Sequence, residues 1–147
     1  PGGSLWGTCR GFQPLQASGV TTNLPRLVAG RAEPYTPLYE AFQANRDQVV
    51  ASPRVEKISA DGIAISAPVR SAALLAALRR SQGTAVAVSE AEVKEYHERL
   101  AQRGLFVEPT SAVVAVALDK LRGQFKPDET VVAVLTGHGL KNPPMID

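Results

Sequence analysis

Two apolar runs stand out along the chain, Thr84 to Val88 and Thr130 to Leu135. Each is five or six residues long and nearly uninterrupted, as expected for a strand buried on both faces of a parallel sheet. Between and before them the pattern changes to a helical period. Ser71 to Ser81 is rich in Ala and Leu and runs up to Gly83, which predicts a helix stopped by that glycine. Ser89 followed by Glu92 forms a capping box, with Val93, Tyr96 and Leu100 spaced for one buried face and Gly104 as the end. Pro109 then introduces Thr110 to Arg122, a helix apolar nearly all round and therefore expected to be well buried. Upstream, Leu5 to Ala17 reads as a helix that Pro14 should shorten or kink, with Gly19 as its stop. Arg26 to Gly30 reads as a short buried strand, Pro37 to Ala44 as a helix, Asn45 to Lys57 as a surface loop, and Gly62 to Ser66 as an extended piece. Strand-like and helix-like segments thus alternate, which predicts an α/β fold with an open, mostly parallel sheet flanked by helices. The alternation has no break, so residues 1–147 are read as one domain.

Composition narrows the function classes. A hydrophobic fraction of 44% and a charged fraction of 20% are those of a globular domain able to build a core. The net charge of +2 comes with no basic stripe, so a nucleic-acid partner is not expected. No apolar run approaches the roughly 20 residues of a membrane helix, and no membrane partner is expected. The single cysteine, Cys9, excludes an intrachain disulfide and suits a reducing, cytoplasmic setting. With two histidines and that one cysteine far apart, no metal-ligand spacing exists.

The chemistry concentrates where the last apolar run ends, in Leu135-Thr-Gly-His-Gly-Leu-Lys-Asn-Pro143. Ligands in open α/β sheets sit at the carboxyl ends of strands, and Gly137 and Gly139 permit close approach of the backbone because neither carries a Cβ. By itself this says that a ligand meets a strand end, or that a strand leaves through a glycine turn.

That segment is similar to the C-terminal signature of the threonine synthase family, pyridoxal-phosphate (PLP) enzymes of the tryptophan-synthase-β-like fold, also called fold type II. Gly104-Leu-Phe-Val-Glu-Pro-Thr-Ser-Ala112, Pro25-Arg-Leu-Val-Ala-Gly-Arg-Ala-Glu-Pro34, Ile58-Ser-Ala-Asp-Gly-Ile63 and Pro68-Val-Arg70 resemble further blocks of the same family in the same order. The resemblance spans almost the whole chain. It implies PLP as cofactor, a small-molecule amino-acid substrate, and conversion of O-phosphohomoserine and water to threonine and phosphate, a lyase reaction of threonine biosynthesis. It also implies roles for named residues. Thr136 faces the pyridine nitrogen, with Gly137 beside it; Gly2, Gly3 and Ser4 form part of the phosphate loop at a helix N-terminus; and Glu33 places a carboxylate near the ring. Glu108, just before Pro109, suits a helix N-terminus electrostatically as well as a site. Thr110 and Ser111 stand where they could cap that helix or approach the cofactor. His138, Lys141 and Arg70 are candidates for proton transfer or phosphate contact, each equally readable as a solvated or packing residue.

One element of the family pattern is missing. The Schiff-base lysine belongs to a motif in the family's N-terminal half, and Lys57, Lys94, Lys120, Lys126 and Lys141 all stand in other contexts. The chain is therefore expected to be the C-terminal part of the large domain of a longer enzyme. On that reading it is inactive alone, partnered by the N-terminal half of the same enzyme, and homodimeric as the family is. Alternatives within the same scaffold are a threonine/serine dehydratase or a cysteine- or cysteate-synthase-like enzyme. A non-catalytic degenerate homologue is the alternative outside catalysis.

Overall fold

A computed structural model describes residues 2–51 and 56–141. Two parallel strands, β1 (Val28–Ala32) and β2 (Thr84–Val88), form the sheet in register from Val28 opposite Thr84 to Ala32 opposite Val88. Around it lie α1 (Gly3–Ala17), α2 (Pro37–Gln43), α3 (Ser71–Arg80), α4 (Glu90–Gln102) and α5 (Pro109–Lys120). The register sorts side chains by face. Ala29 and Ala85 pack with Cys9, Leu38, Ala41, Leu74, Leu75 and Leu78 of α1 to α3. Ala32, Val86 and Val88 pack on the other face with Val93 of α4 and Ala112, Val113, Val116 and Ala117 of α5. The result is a helix–sheet–helix sandwich with a core on each side of a small parallel sheet, the layering expected when both strand faces are apolar.

Four helices end in the same way, with the chain turning into the left-handed region one residue past the cap. After α1 this residue is Gly19 (φ 76°), after α4 it is Gly104 (φ 80°), and after α2 and α3 it is Asn45 and Gln82 (both φ 51°). In each case two crossed amide–carbonyl bonds close the turn, such as Val20 N–H to Leu15 O and Gly19 N–H to Gln16 O. Gly83, expected to stop α3, therefore follows the left-handed residue rather than occupying it. Its glycine identity has another cause: a Cβ there would overlap the Leu27 carbonyl oxygen at the entry to β1. Pro14 leaves α1 running to Ala17, because the carbonyl it deprives of a partner belongs to the exposed Arg10.

Three expectations are corrected. β1 lies two residues further along than predicted and takes in Arg31, which is 4% exposed. Residues 61–63 form a 3₁₀ turn rather than part of an extended piece. The segment Thr130 to Leu135 is not a strand: it is irregular and mostly exposed, with Val132 at 79% and Val134 at 57%. A strand exists only through its neighbours, and among the described residues this run pairs with neither β1 nor β2.

At the carboxyl end of β2 the predicted capping box is complete. Ser89 Oγ accepts from the Glu92 amide at 3.3 Å, and Glu92 Oε2 accepts from the Ser89 amide at 2.8 Å. Lys120 reaches across from α5 to donate to that same Oε2 and to the Ala87 carbonyl, both at 2.9 Å. Partial burial pushes the Glu92 carboxyl up, but the bonds from Lys120 and Ser89 outweigh it and hold the group below its usual range. A depressed carboxylate stabilises the fold above its unfolded pKa, and that contribution disappears as the pH falls through the folded value. Acid titration of Glu92→Gln, followed by unfolding midpoint, should show a shallower loss of stability below the ordinary carboxylate range than the parent. Gly83→Ala should destabilise by about 1–3 kcal/mol, the usual range for forcing an atom into a packed site, read by chemical unfolding.

Candidate functional site

The N-terminus of α5 is the anchor of the site. Glu108 is the residue before the helix and Pro109 occupies its first position, where a missing N–H costs nothing. One turn in, Ser111 is 1% exposed. Its Oγ accepts hydrogen bonds from two successive amides, Thr136 at 3.1 Å and Gly137 at 3.3 Å. The returning segment is held from its other side by backbone pairing. The Glu108 amide donates to Gly137 O and the Gly139 amide donates to Phe106 O, both at 3.0 Å, around an antiparallel bridge between Val107 and His138.

Both glycines of the turn lie against neighbouring side chains. A Cβ on Gly137 would overlap the Glu108 carboxyl group, and one on Gly139 would sit 2.6 Å from the Phe106 ring. Glu108 is largely buried and pairs with Lys141 at 3.3 Å. The His138 ring meets Phe106 edge-on with centroids 5.5 Å apart, and its Nδ1 accepts the Leu140 amide. His138 is thus used in packing and in closing its own turn, and Lys141 is committed to Glu108. His97 of α4 braces the same region by bonding Val107 O at 2.8 Å. Thr136 itself is exposed, so the docked turn offers its side chain outward.

The other expected site residues lie on separate elements, and among the described residues no hydrogen bond joins them to this turn. Glu33 follows β1, exposed, with its amide bonded to Val88 O at 2.8 Å. It therefore sits at the carboxyl end of the sheet. Gly2 adopts φ 74° and precedes α1, packed on Leu74 near the start of α3. Because α3 leads into β2, that start also lies toward the carboxyl end of the sheet. Among the described residues the first helical bond of α1 is Trp6 N–H to Gly2 O, and the amides of Gly3 and Ser4 have no intrahelical partner. No side chain caps them and no acidic residue occupies the first turn. Such an end favours an anion.

Ser111 was expected to cap α5 or approach the cofactor, and Arg31 was given no role; the contacts that define both are long-range. Ser111 was one of several hydroxyls near a helix start, and nothing local marks the two amides it collects 25 and 26 residues later. Arg31 was placed outside its strand. Its guanidinium donates to the carbonyls of Ile63 and Ile65, at 3.0 and 3.4 Å, while Nε has no partner among the described residues, and burial lowers its pKa. It straps the 3₁₀ turn onto β1. Arg70 is exposed at the entry to α3.

Comparison with known proteins decides the class. The family described as pyridoxal-phosphate dependent enzyme matches residues 1–137. The chain belongs to that family. It is 35% identical over 144 residues to the threonine synthase of Methanocaldococcus jannaschii and 34% to that of Methanosarcina acetivorans, each alignment covering 96% of this chain. It spans about a third of the length of these curated relatives, 35% in both. Among solved structures it is similar to a T.th. threonine deaminase (TM-score 0.62, 23% identity, 85% of this chain and 42% of that one). Maize serine racemase is a second (TM-score 0.57, 14% identity, 77% of this chain and 32% of that one). At these identities the structures speak to fold, and the fold is that of this PLP-dependent family. The cofactor is pyridoxal phosphate. The bare α1 N-terminus and the outward hydroxyl of Thr136 suit its phosphate and its ring nitrogen. Of the described lysines, Lys94, Lys120 and Lys141 pair with carboxylates, and Lys57 and Lys126 are exposed. No described helix is long and apolar enough to cross a membrane.

The two glycines of the turn should respond differently to alanine. Gly137→Ala need only push aside the end of the flexible Glu108 side chain, breaking its pair with Lys141. Gly139→Ala must displace an aromatic ring and should cost about 1–3 kcal/mol. Thermal unfolding of the two variants side by side would show Gly139→Ala as the less stable.

Proposed function

We propose that this chain is the C-terminal part of a threonine-synthase-type lyase that converts O-phosphohomoserine and water to threonine and phosphate. The observation that carries the reading is the turn at Thr136, whose backbone is fixed by Ser111 and Glu108 while its side chain faces outward. The named threonine synthases at 34–35% identity support the substrate class.

Bound PLP supplies the electron sink that stabilises carbanion character on the substrate. This chain's residues set the terms. The amides of Gly3 and Ser4, with Gly2 shaping the entry, would hold the cofactor phosphate at the positive end of α1. Thr136 would present a neutral hydroxyl to the pyridine nitrogen, while the space beside Gly137 is taken by the Glu108 carboxyl group. A hydroxyl brings no negative charge, so it would leave that nitrogen largely unprotonated where a carboxylate would favour protonation. Glu33, exposed at the carboxyl end of β1, would bring its carboxylate to the rim of the cofactor site. Glu108 serves structure rather than proton transfer, held between Gly137 and Lys141. The amine that anchors the cofactor comes from a preceding N-terminal half, and the assembled enzyme is a cytoplasmic homodimer.

The complete protein should release inorganic phosphate and threonine from O-phosphohomoserine. Formation of a 2-oxo acid from threonine or serine, with no phosphate release, would replace this reading with a dehydratase. Thr136→Ala should lower turnover about tenfold, the equivalent of one lost hydrogen bond of about 1.4 kcal/mol, with an unchanged thermal midpoint.

A further inference from the structure

We propose that Ser111 is a positioning residue for the cofactor, acting through Thr136. This rests on the reading of Thr136 given above and adds the group that fixes where its hydroxyl stands. The run before Thr136 lacks strand pairing among the described residues, so no ladder sets its register. The position of Thr136 is instead decided at the turn, by four hydrogen bonds. Two of them, Glu108 N–H to Gly137 O and Gly139 N–H to Phe106 O, are between backbone groups that almost any sequence supplies. The other two end on one side-chain oxygen, Ser111 Oγ.

That oxygen is well suited to the task. A hydroxyl oxygen has two lone pairs, and the amides of Thr136 and Gly137 fill both. Ser111 stands in the first turn of α5, one residue before Ala112 and two before Val113, which are 0% and 2% exposed in the core. Any motion of Ser111 would therefore require α5 to move against the sheet. The hydroxyl transmits the rigidity of the core to a turn that has little of its own. With the Thr136 amide paired at Ser111, the Thr136 hydroxyl is the group at this exposed position with no hydrogen bond among the described residues. Without the hydroxyl, two adjacent N–H groups lose their partner, and that of Gly137 belongs to a buried residue. Such a loss favours a shifted backbone that finds other acceptors.

The test uses the complete protein with PLP bound. Ser111→Ala removes the acceptor with little change in volume, and Ser111→Thr restores it. Three readouts apply: PLP affinity by titration, the pH dependence of the cofactor's absorption band, and hydrogen exchange at the amides of Thr136 and Gly137. Ser111→Ala should bind PLP about tenfold more weakly, the effect of losing about one hydrogen bond. It should also shift the pH dependence of the band and exchange both amides faster, with helix content unchanged; Ser111→Thr should recover at least the exchange rates. Thr136→Ala should shift the same band, and adding Ser111→Ala to it should shift the band no further.

A Ser111→Ala protein that leaves the band and both exchange rates as in the parent overturns the proposal while the reading of Thr136 stands. So does a double variant whose band shifts by the sum of the two single shifts, because Ser111 would then act independently of Thr136. A Thr136→Ala protein with an unaltered band overturns the reading of Thr136, and the positioning role with it.

Discussion

Helix α5 packs directly over Gly30 of strand β1, and much of the molecule depends on that contact. It is permitted by Gly30, where a Cβ would sit 2.8 Å from Val113 Cγ1. The contact brings Val113, Val116 and Ala117 onto the sheet and allows Ala32, Val86 and Val88 to share one core with α4 and α5. It also fixes the height of the α5 N-terminus. From there Ser111 collects the amides of Thr136 and Gly137, and Glu108 lies against the same turn. One small residue in a strand thus sets both the packing of a helix and the place of a site more than a hundred residues later. This is the usual economy of α/β folds, in which rigid elements hold the loops that carry chemistry.

Charge is distributed to the same end. Lys120 ties α5 to α4 and to the free carbonyl of Ala87, outside the β1–β2 ladder. Glu90 at the start of α4 accepts both the amide and the hydroxyl of Ser59, tying the segment between α2 and α3 to that helix. Arg31 holds the following 3₁₀ turn from below. These links hold the segments around the carboxyl end of the sheet, the region in which Glu33 lies. Among the described residues nothing pairs with the amides of Gly3 and Ser4, since α1 carries neither a capping side chain nor an acid in its first turn.

Much of this architecture was legible in the sequence where local rules suffice. Thr84 to Val88, the capping box of Ser89 and Glu92, and the burial of Val93, Val113 and Val116 follow from periodicity and cap chemistry. The misplacement of β1 came from Arg31, because a charged residue ordinarily ends an apolar run, and only tertiary contact shows that this one is buried. The run from Thr130 to Leu135 announces a need for burial, but periodicity cannot say which partner meets it, and the exposed Val132 and Val134 show that the described residues do not. In the site, the Thr136-Gly-His-Gly wording identified the turn. The roles of Ser111 and Glu108 were hidden because each depends on groups some 25 to 33 residues away in the chain.

The central claim is that this chain positions pyridoxal phosphate while the anchoring amine lies outside its 147 residues. Borohydride treatment of the complete, cofactor-loaded protein, followed by peptide mass analysis, addresses it directly, because reduction fixes the cofactor permanently to whichever lysine holds it. The account predicts a single labelled lysine in a peptide preceding Pro1, with Lys57, Lys94, Lys120, Lys126 and Lys141 unmodified. A stoichiometric label on any of those five would contradict it.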